Sequence, residues 1–67
     1  MAVTIIRPGT SVHDDNFDLN EWTFNAVVNG RAGTITVTVP DSDSEAEAAR
    51  VAQLSLEAHP ENLGGIV

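Results

Sequence analysis

Hydrophobic and polar residues alternate along the flanks of Asn29-Gly30, a dipeptide that tolerates positive φ at both central positions of a type I′ turn. Setting Val28 opposite Arg31 pairs Ala26 with Gly33, Phe24 with Ile35 and Trp22 with Val37 on one face. The other face then pairs Val27 with Ala32, Asn25 with Thr34, Thr23 with Thr36 and Glu21 with Thr38. Apolar on one side and polar on the other, this is the pattern of a half-buried antiparallel hairpin. Residues 34–39 are β-branched throughout, which favours strand over helix, and Pro40 ends the run.

After Pro40 the period changes from two to 3.6. Ser42 with Glu45, and Ser44 with Glu47, each fit a capping box, so the spacing predicts a helix beginning near Ser42 to Ser44. Ala48, Val51, Ala52, Ser55 and Ala58 share one helical face, with Leu54 and Leu56 at its margins and Ala46, Arg50, Gln53 and Glu57 opposite. That face is expected to cover the Trp22, Phe24, Ile35 and Val37 side of the hairpin. His59-Pro60 closes the helix, because a residue before proline is pushed out of the α region. Leu63-Gly64-Gly65-Ile66-Val67 is a short tail that either frames the core or frays.

Val3 to Arg7 reads as a further strand, and a third strand is wanted because an isolated hairpin is marginal in water. Pro8-Gly9 is expected to break it, leaving Thr10 to Asn20 as a long polar connection. The expected fold is α+β: a small antiparallel sheet, formed by the β-hairpin plus the N-terminal strand, with one C-terminal helix packed on one face in the order β-β-β-α. Residues 1–67 then form a single small acidic domain.

Length and composition sharpen this picture. A chain of 67 residues buries only about 60% of the surface that its unfolded form exposes. With no cysteine it has no disulfide to compensate, so a monomer supported by a partner, or a homodimer, is expected. The lack of cysteine fits a reducing cytoplasm, and the first residues lack the basic region of a signal peptide. No apolar run approaches the roughly 20 residues of a membrane span. A cytoplasmic protein with no membrane partner is expected.

Charge changes the picture most. Three arginines (Arg7, Arg31, Arg50) and no lysine face ten acids, for a net charge of −7. Direct binding to nucleic acid is disfavoured, since phosphates must be neutralised by several cations. Asp14, Asp15, Asp18 and Glu21 form one acidic window, and Asp41, Asp43, Glu45 and Glu47 form a second. With Glu21 opposite Thr38, both windows lie at the end of the hairpin remote from Asn29-Gly30, as one negative edge. Were Asp41 and Asp43 extended, alternate residues would recur every ~6.7 Å, on the order of phosphate spacing. Phe17, set among these aspartates, is either a plug at the core edge or an anchor for a partner. Simpler accounts compete: acids near a helix start favour the macrodipole, net charge aids solubility, and charge runs are commonly solvated loops.

Candidate chemistry is sparse. Cysteine, lysine and tyrosine are all absent. Ser11, His13 and Asp14 name the residue types of a hydrolase triad, but adjacency in a polar loop does not supply its geometry, so no catalytic residues are expected. Asp14-x-Asn16-x-Asp18-x-Asn20 resembles the opening of a calcium loop; Leu19 then stands where glycine is needed and Asn25 where a bidentate glutamate belongs. No glycine-rich phosphate loop is present, and neither metal nor cofactor is expected.

In length, strong acidity, absence of lysine and cysteine, and lack of a catalytic motif, the chain resembles the small phage-encoded anti-CRISPR proteins. The likeness spans the whole chain as a profile; no motif carries it. It implies a non-enzymatic inhibitor that mimics nucleic acid and blocks a basic DNA-binding surface, as on a CRISPR surveillance complex, in the cytoplasm of a phage-infected or prophage-bearing bacterium. The charge pattern supplies the surface for such contact: Asp14, Asp15, Phe17, Asp18, Glu21, Asp41, Asp43, Glu45 and Glu47. The alternative is a small phage structural or accessory protein, or an antitoxin-like oligomerisation module, that associates through its sheet edge.

Overall fold

The hairpin register is set by its turn. Asn29 and Gly30 have φ of 51° and 83°, so both central residues occupy the left-handed region that a type I′ turn requires. Strand β2 (Leu19–Val28) then pairs with β3 (Arg31–Pro40) from Val28 opposite Arg31 through Phe24 opposite Ile35 to Leu19 opposite Pro40. Every pair expected from the alternation is present. The structure is a computed structural model that describes residues 2–67; Met1 lies outside the described residues.

Strand β1 (Val3–Asp14) pairs antiparallel with β2, giving one sheet in the order β1-β2-β3, and helix α1 (Glu45–Ala58) follows it. The fold is α+β with the element order β-β-β-α. Among the described residues, no helix is long and apolar enough to cross a membrane.

The expected break at Pro8-Gly9 does not occur. Ile6 faces Asn25 and Thr10 faces Thr23, so Arg7, Pro8 and Gly9 together span the single β2 residue Phe24 as a bulge. Proline is tolerated there because β1 is an edge strand and a bulge needs no ladder donor. Gly9 is required by close approach: a Cβ at this position would lie 2.6 Å from the Phe24 ring and 2.8 Å from the Thr23 carbonyl oxygen. The strand resumes at Thr10, and the expected polar connection from Thr10 to Asn20 becomes strand, a tight turn over residues 15–18, and strand again.

The helix begins as its capping box dictates, at the second of the two candidate serines. Ser44 is the N-cap; its hydroxyl accepts from the Glu47 N–H, and the Glu47 carboxylate accepts from the Ser44 N–H. Its buried face is Ala48, Ala49, Ala52 and Leu56. The face expected from the sequence is therefore rolled: Val51 and Leu54 are 41% and 53% exposed, and Ala58 is also exposed. Two contacts to β1 set this roll. Glu45 binds the bulge, accepting from Arg7 Nε at 2.6 Å and from the Gly9 N–H at 3.0 Å, and Gln53 Nε2 donates to the Val3 carbonyl at 3.2 Å.

Phe24, Ile35, Val37 and Leu56 are fully buried between sheet and helix. Each such side chain contributes roughly 1.5–3 kcal/mol through apolar area removed from water. Trp22 stacks on Phe24 with centroids 6.1 Å apart at the rim of this core. The tail does not fray. Thr36 N–H donates to the Gly65 carbonyl at 3.1 Å and Val67 N–H to the Thr36 carbonyl at 2.9 Å, so residues 65–67 run parallel to β3 and cover its outer edge.

Candidate functional site: the acidic end of the hairpin

Extending the β2–β3 register by one step places Asp18 opposite Asp41, and the Asp41 N–H donates to the Asp18 carbonyl at 2.9 Å. The two acidic windows are thereby joined at the end of the sheet remote from Asn29-Gly30. Within the β1–β2 turn, the Asp14 carboxylate accepts from the Asn16 N–H at 2.9 Å, and Phe17 N–H donates to the Asp14 carbonyl at 3.4 Å. Asp18 closes the turn with φ of 52°, a conformation that aspartate tolerates better than most residues. This geometry lifts Phe17 out of the fold, leaving the residue 69% exposed in a turn that also carries Asp15 and Asp18.

His13 lies at the centre of the cluster. It is a β1 residue opposite Asn20 rather than a loop histidine, with Nδ1 3.1 Å from Asn20 Oδ1. Its ring nitrogens stand 3.5 Å from carboxylate oxygens of Asp15 and Asp41. The Asn20 hydrogen bond, followed by the fields of Asp41, Asp15 and Asp18, raises its pKa above the ordinary histidine value. Asn20 in turn donates through Nδ2 to Asp41 Oδ1 at 3.2 Å, tying the two windows together by side chains.

The remaining acids divide by what they do. Glu21 lies on β2 opposite Val12, on the sheet face away from the helix, next to the turn. Glu45 is spent on the Arg7 ion pair and the Gly9 N–H, which hold its carboxyl below the usual range. Glu47 is spent on the capping box. Asp43 is not extended: its N–H donates to the Pro40 carbonyl at 2.9 Å in a turn, so the regular spacing of Asp41 and Asp43 expected for an extended run is not formed. Partial desolvation and the nearby Glu47 charge push the Asp43 carboxyl upward.

Local structure thus accounts for Asp14, Asp18, Glu45 and Glu47. Asp41 is partly engaged through Asn20 and His13, and Asp15, Glu21, Asp43 and Phe17 are left without a side-chain folding role of their own. Sequence reasoning did not assign His13 or Asn20 to this cluster; continuing the hairpin register past Trp22 to Asn20 opposite Val39 would have placed Asn20 beside Asp41. The arginines stand elsewhere: Arg7 at the β1 bulge, Arg31 beside the Asn29-Gly30 turn and Arg50 on the helix. Among the described residues, no group of three or more histidine and carboxylate side chains is arranged to hold a metal ion. Comparison with protein-family models, with curated proteins and with solved structures finds no match.

Proposed function

We propose that this chain is a non-enzymatic binding protein whose acidic end occupies a basic, nucleic-acid-binding surface of a larger protein. The observation that carries this reading is the convergence of Asp14, Asp15, Asp18 and Asp41 at one end of the sheet, with Phe17 exposed in the same turn and every arginine placed elsewhere. Negative charge concentrated at one end speeds encounter with a basic groove and selects against acidic partners. Phe17 supplies the apolar anchor that a charged rim alone lacks, since binding energy concentrates in a few desolvated aromatic and arginine contacts. Asp43 and Glu47 extend the negative surface along the helix start. The class resembled by the chain's profile, the anti-CRISPR proteins, makes a CRISPR surveillance complex the first target to try, and a bacterial cytoplasm the place.

The test is capture of partners on immobilised protein from a bacterial lysate containing CRISPR effectors, washed at about 50 and 200 mM salt, a range over which contacts of phosphate type weaken steeply. A basic nucleic-acid-binding protein that is released by duplex DNA supports the reading. Recovery of the chain alone, insensitive to salt, favours an oligomerisation module instead.

A further inference from the structure

The two edges of the sheet differ. The tail covers β3, whereas no strand covers the first half of β1; among the described residues only the Val3 carbonyl is met there, by the Gln53 side chain. Asn29 N–H donates to the Ala2 carbonyl at 2.9 Å and Val3 lies opposite Val28, so Ala2, Thr4 and Ile6 turn their main-chain groups toward β2. By alternation the N–H groups of Val3, Ile5 and Arg7 and the carbonyls of Val3 and Ile5 point outward. The Gln53 side chain, which reaches the Val3 carbonyl from outside the sheet, agrees with this.

Natural edge strands are blunted by lysine, proline or bulges. Here the bulge and Pro8 blunt β1 only from Arg7 onward, and the chain contains no lysine. Beside the open half runs a groove of about 360 Å³ between β1 and α1, lined by Ile5, Arg7, Ala49, Arg50 and Leu54. Leu54 in its lining is 53% exposed, and Ile6, on the other face of the same strand opposite Asn25, is 46% exposed. Two of the three arginines line the groove. Among the described residues no carboxylate lies within ion-pair distance of Arg50, so its charge offsets part of the repulsion between two acidic chains at this surface.

We propose that two copies of this chain associate through the open half of β1, antiparallel about a two-fold axis at Ile5, joining two three-stranded sheets into one. The outward groups match under that axis. Ile5 exchanges both of its bonds with Ile5 of the second copy, and each Arg7 N–H meets the other copy's Val3 carbonyl, whose second lone pair accepts it beside the Gln53 amide. Pro8, which has no N–H, ends the pairing. The acidic ends point away from the axis: Ile5 faces Ala26 and Asp14 faces Leu19, so at about 3.3 Å per residue along β2 Asp14 of each copy lies ~23 Å from Ile5. Roughly 46 Å therefore separates the two acidic ends, several Debye lengths at physiological salt. The dimer presents two acidic ends at opposite extremes, and its formation does not depend on what those ends bind.

Sedimentation equilibrium of the full chain, over roughly 10 μM to 1 mM so that mass action populates even a weak dimer, is expected to approach twice the 7.1 kDa chain mass. Amide exchange is expected to slow at Ile5 and Arg7 as concentration rises. The double variant Ile6→Lys/Leu54→Glu, with wild-type circular dichroism, is expected to stay at one chain mass. A single-chain mass at every concentration overturns the proposal. So does a dimer that survives the double substitution, or one in which the Ile5 and Arg7 amides exchange without protection.

Discussion

Replacing Gly9 by alanine adds one methyl group where the fold has no room for it. The new Cβ would lie 2.6 Å from two atoms of the Phe24 ring and 2.8 Å from the Thr23 carbonyl oxygen. Ordinary contact needs ~3.5 Å or more, so about 1 Å of movement must be found. Phe24 is fully buried and stacked on Trp22, and Thr23 is held in the ladder between β1 and β3, so neither yields cheaply. Overpacking of this kind costs typically 1–3 kcal/mol; with a backbone atom among the obstacles, about 2–3 kcal/mol is expected. A domain of this size has on the order of 3–10 kcal/mol in all. The loss corresponds to a fall in Tm of roughly 10–20 °C. Urea unfolding followed by Trp22 fluorescence measures it, with Gly64→Ala as control. Gly64 has open space around its Cβ position and only its φ of 91° to strain a side chain, so that variant is expected to lose about 1 kcal/mol. A Gly9→Ala protein within about 0.5 kcal/mol of wild type would refute the account of the bulge, because that is the scatter of neutral surface changes.

Three further outcomes follow from the site and its supports. Glu45 has a folded pKa below its unfolded value, chiefly through the Arg7 hydrogen bond and then the Gly9 N–H, so the stability it adds is present above the unfolded pKa and is lost as pH falls through the folded one. In urea titrations Glu45→Gln is therefore less stable than wild type at neutral pH, and the gap closes in acid; a gap independent of pH contradicts the assignment. His13 shifts the other way: its folded pKa is raised, so its contribution is present below the unfolded pKa and disappears as pH rises through the folded value. In an NMR titration, Asn20→Ala is expected to lower the His13 midpoint, and an unchanged midpoint argues against the hydrogen bond as its main cause. Phe17→Ala is expected to leave stability within ~0.5 kcal/mol, as at any exposed site. It is also expected to weaken partner binding at least fivefold, the lower range of an anchoring aromatic; calorimetry on the isolated pair reads both.

What could be read from the sequence follows the range of the interactions involved. The β2–β3 hairpin was legible because two residues, Asn29 and Gly30, set the turn and period two does the rest. The helix start was legible because Ser44 and Glu47 are local partners. The roll of α1 was not, because it depends on Glu45 reaching Arg7 and Gln53 reaching Val3, contacts 38 and 50 residues apart in the chain. The bulge is hidden in the sequence for a similar reason: Pro8-Gly9 has the composition of a break, and only the Phe24 ring beneath it shows why the strand needs glycine there and continues. At the acidic end, the meeting of both windows could be read from the hairpin register. The placement of His13 could not, since it required β1 to resume after the bulge.

The most direct test of the acidic-end account compares wild type with the triple variant Asp15→Lys/Asp18→Lys/Asp41→Lys in the same capture assay, after circular dichroism has shown both to be folded. The account predicts that wild type retains a basic nucleic-acid-binding protein at low salt, releases it to duplex DNA, and that the triple variant retains none. A folded triple variant that captures the same partner with the same salt dependence would contradict it, and would leave the negative charge at this end a matter of solubility and turn geometry alone.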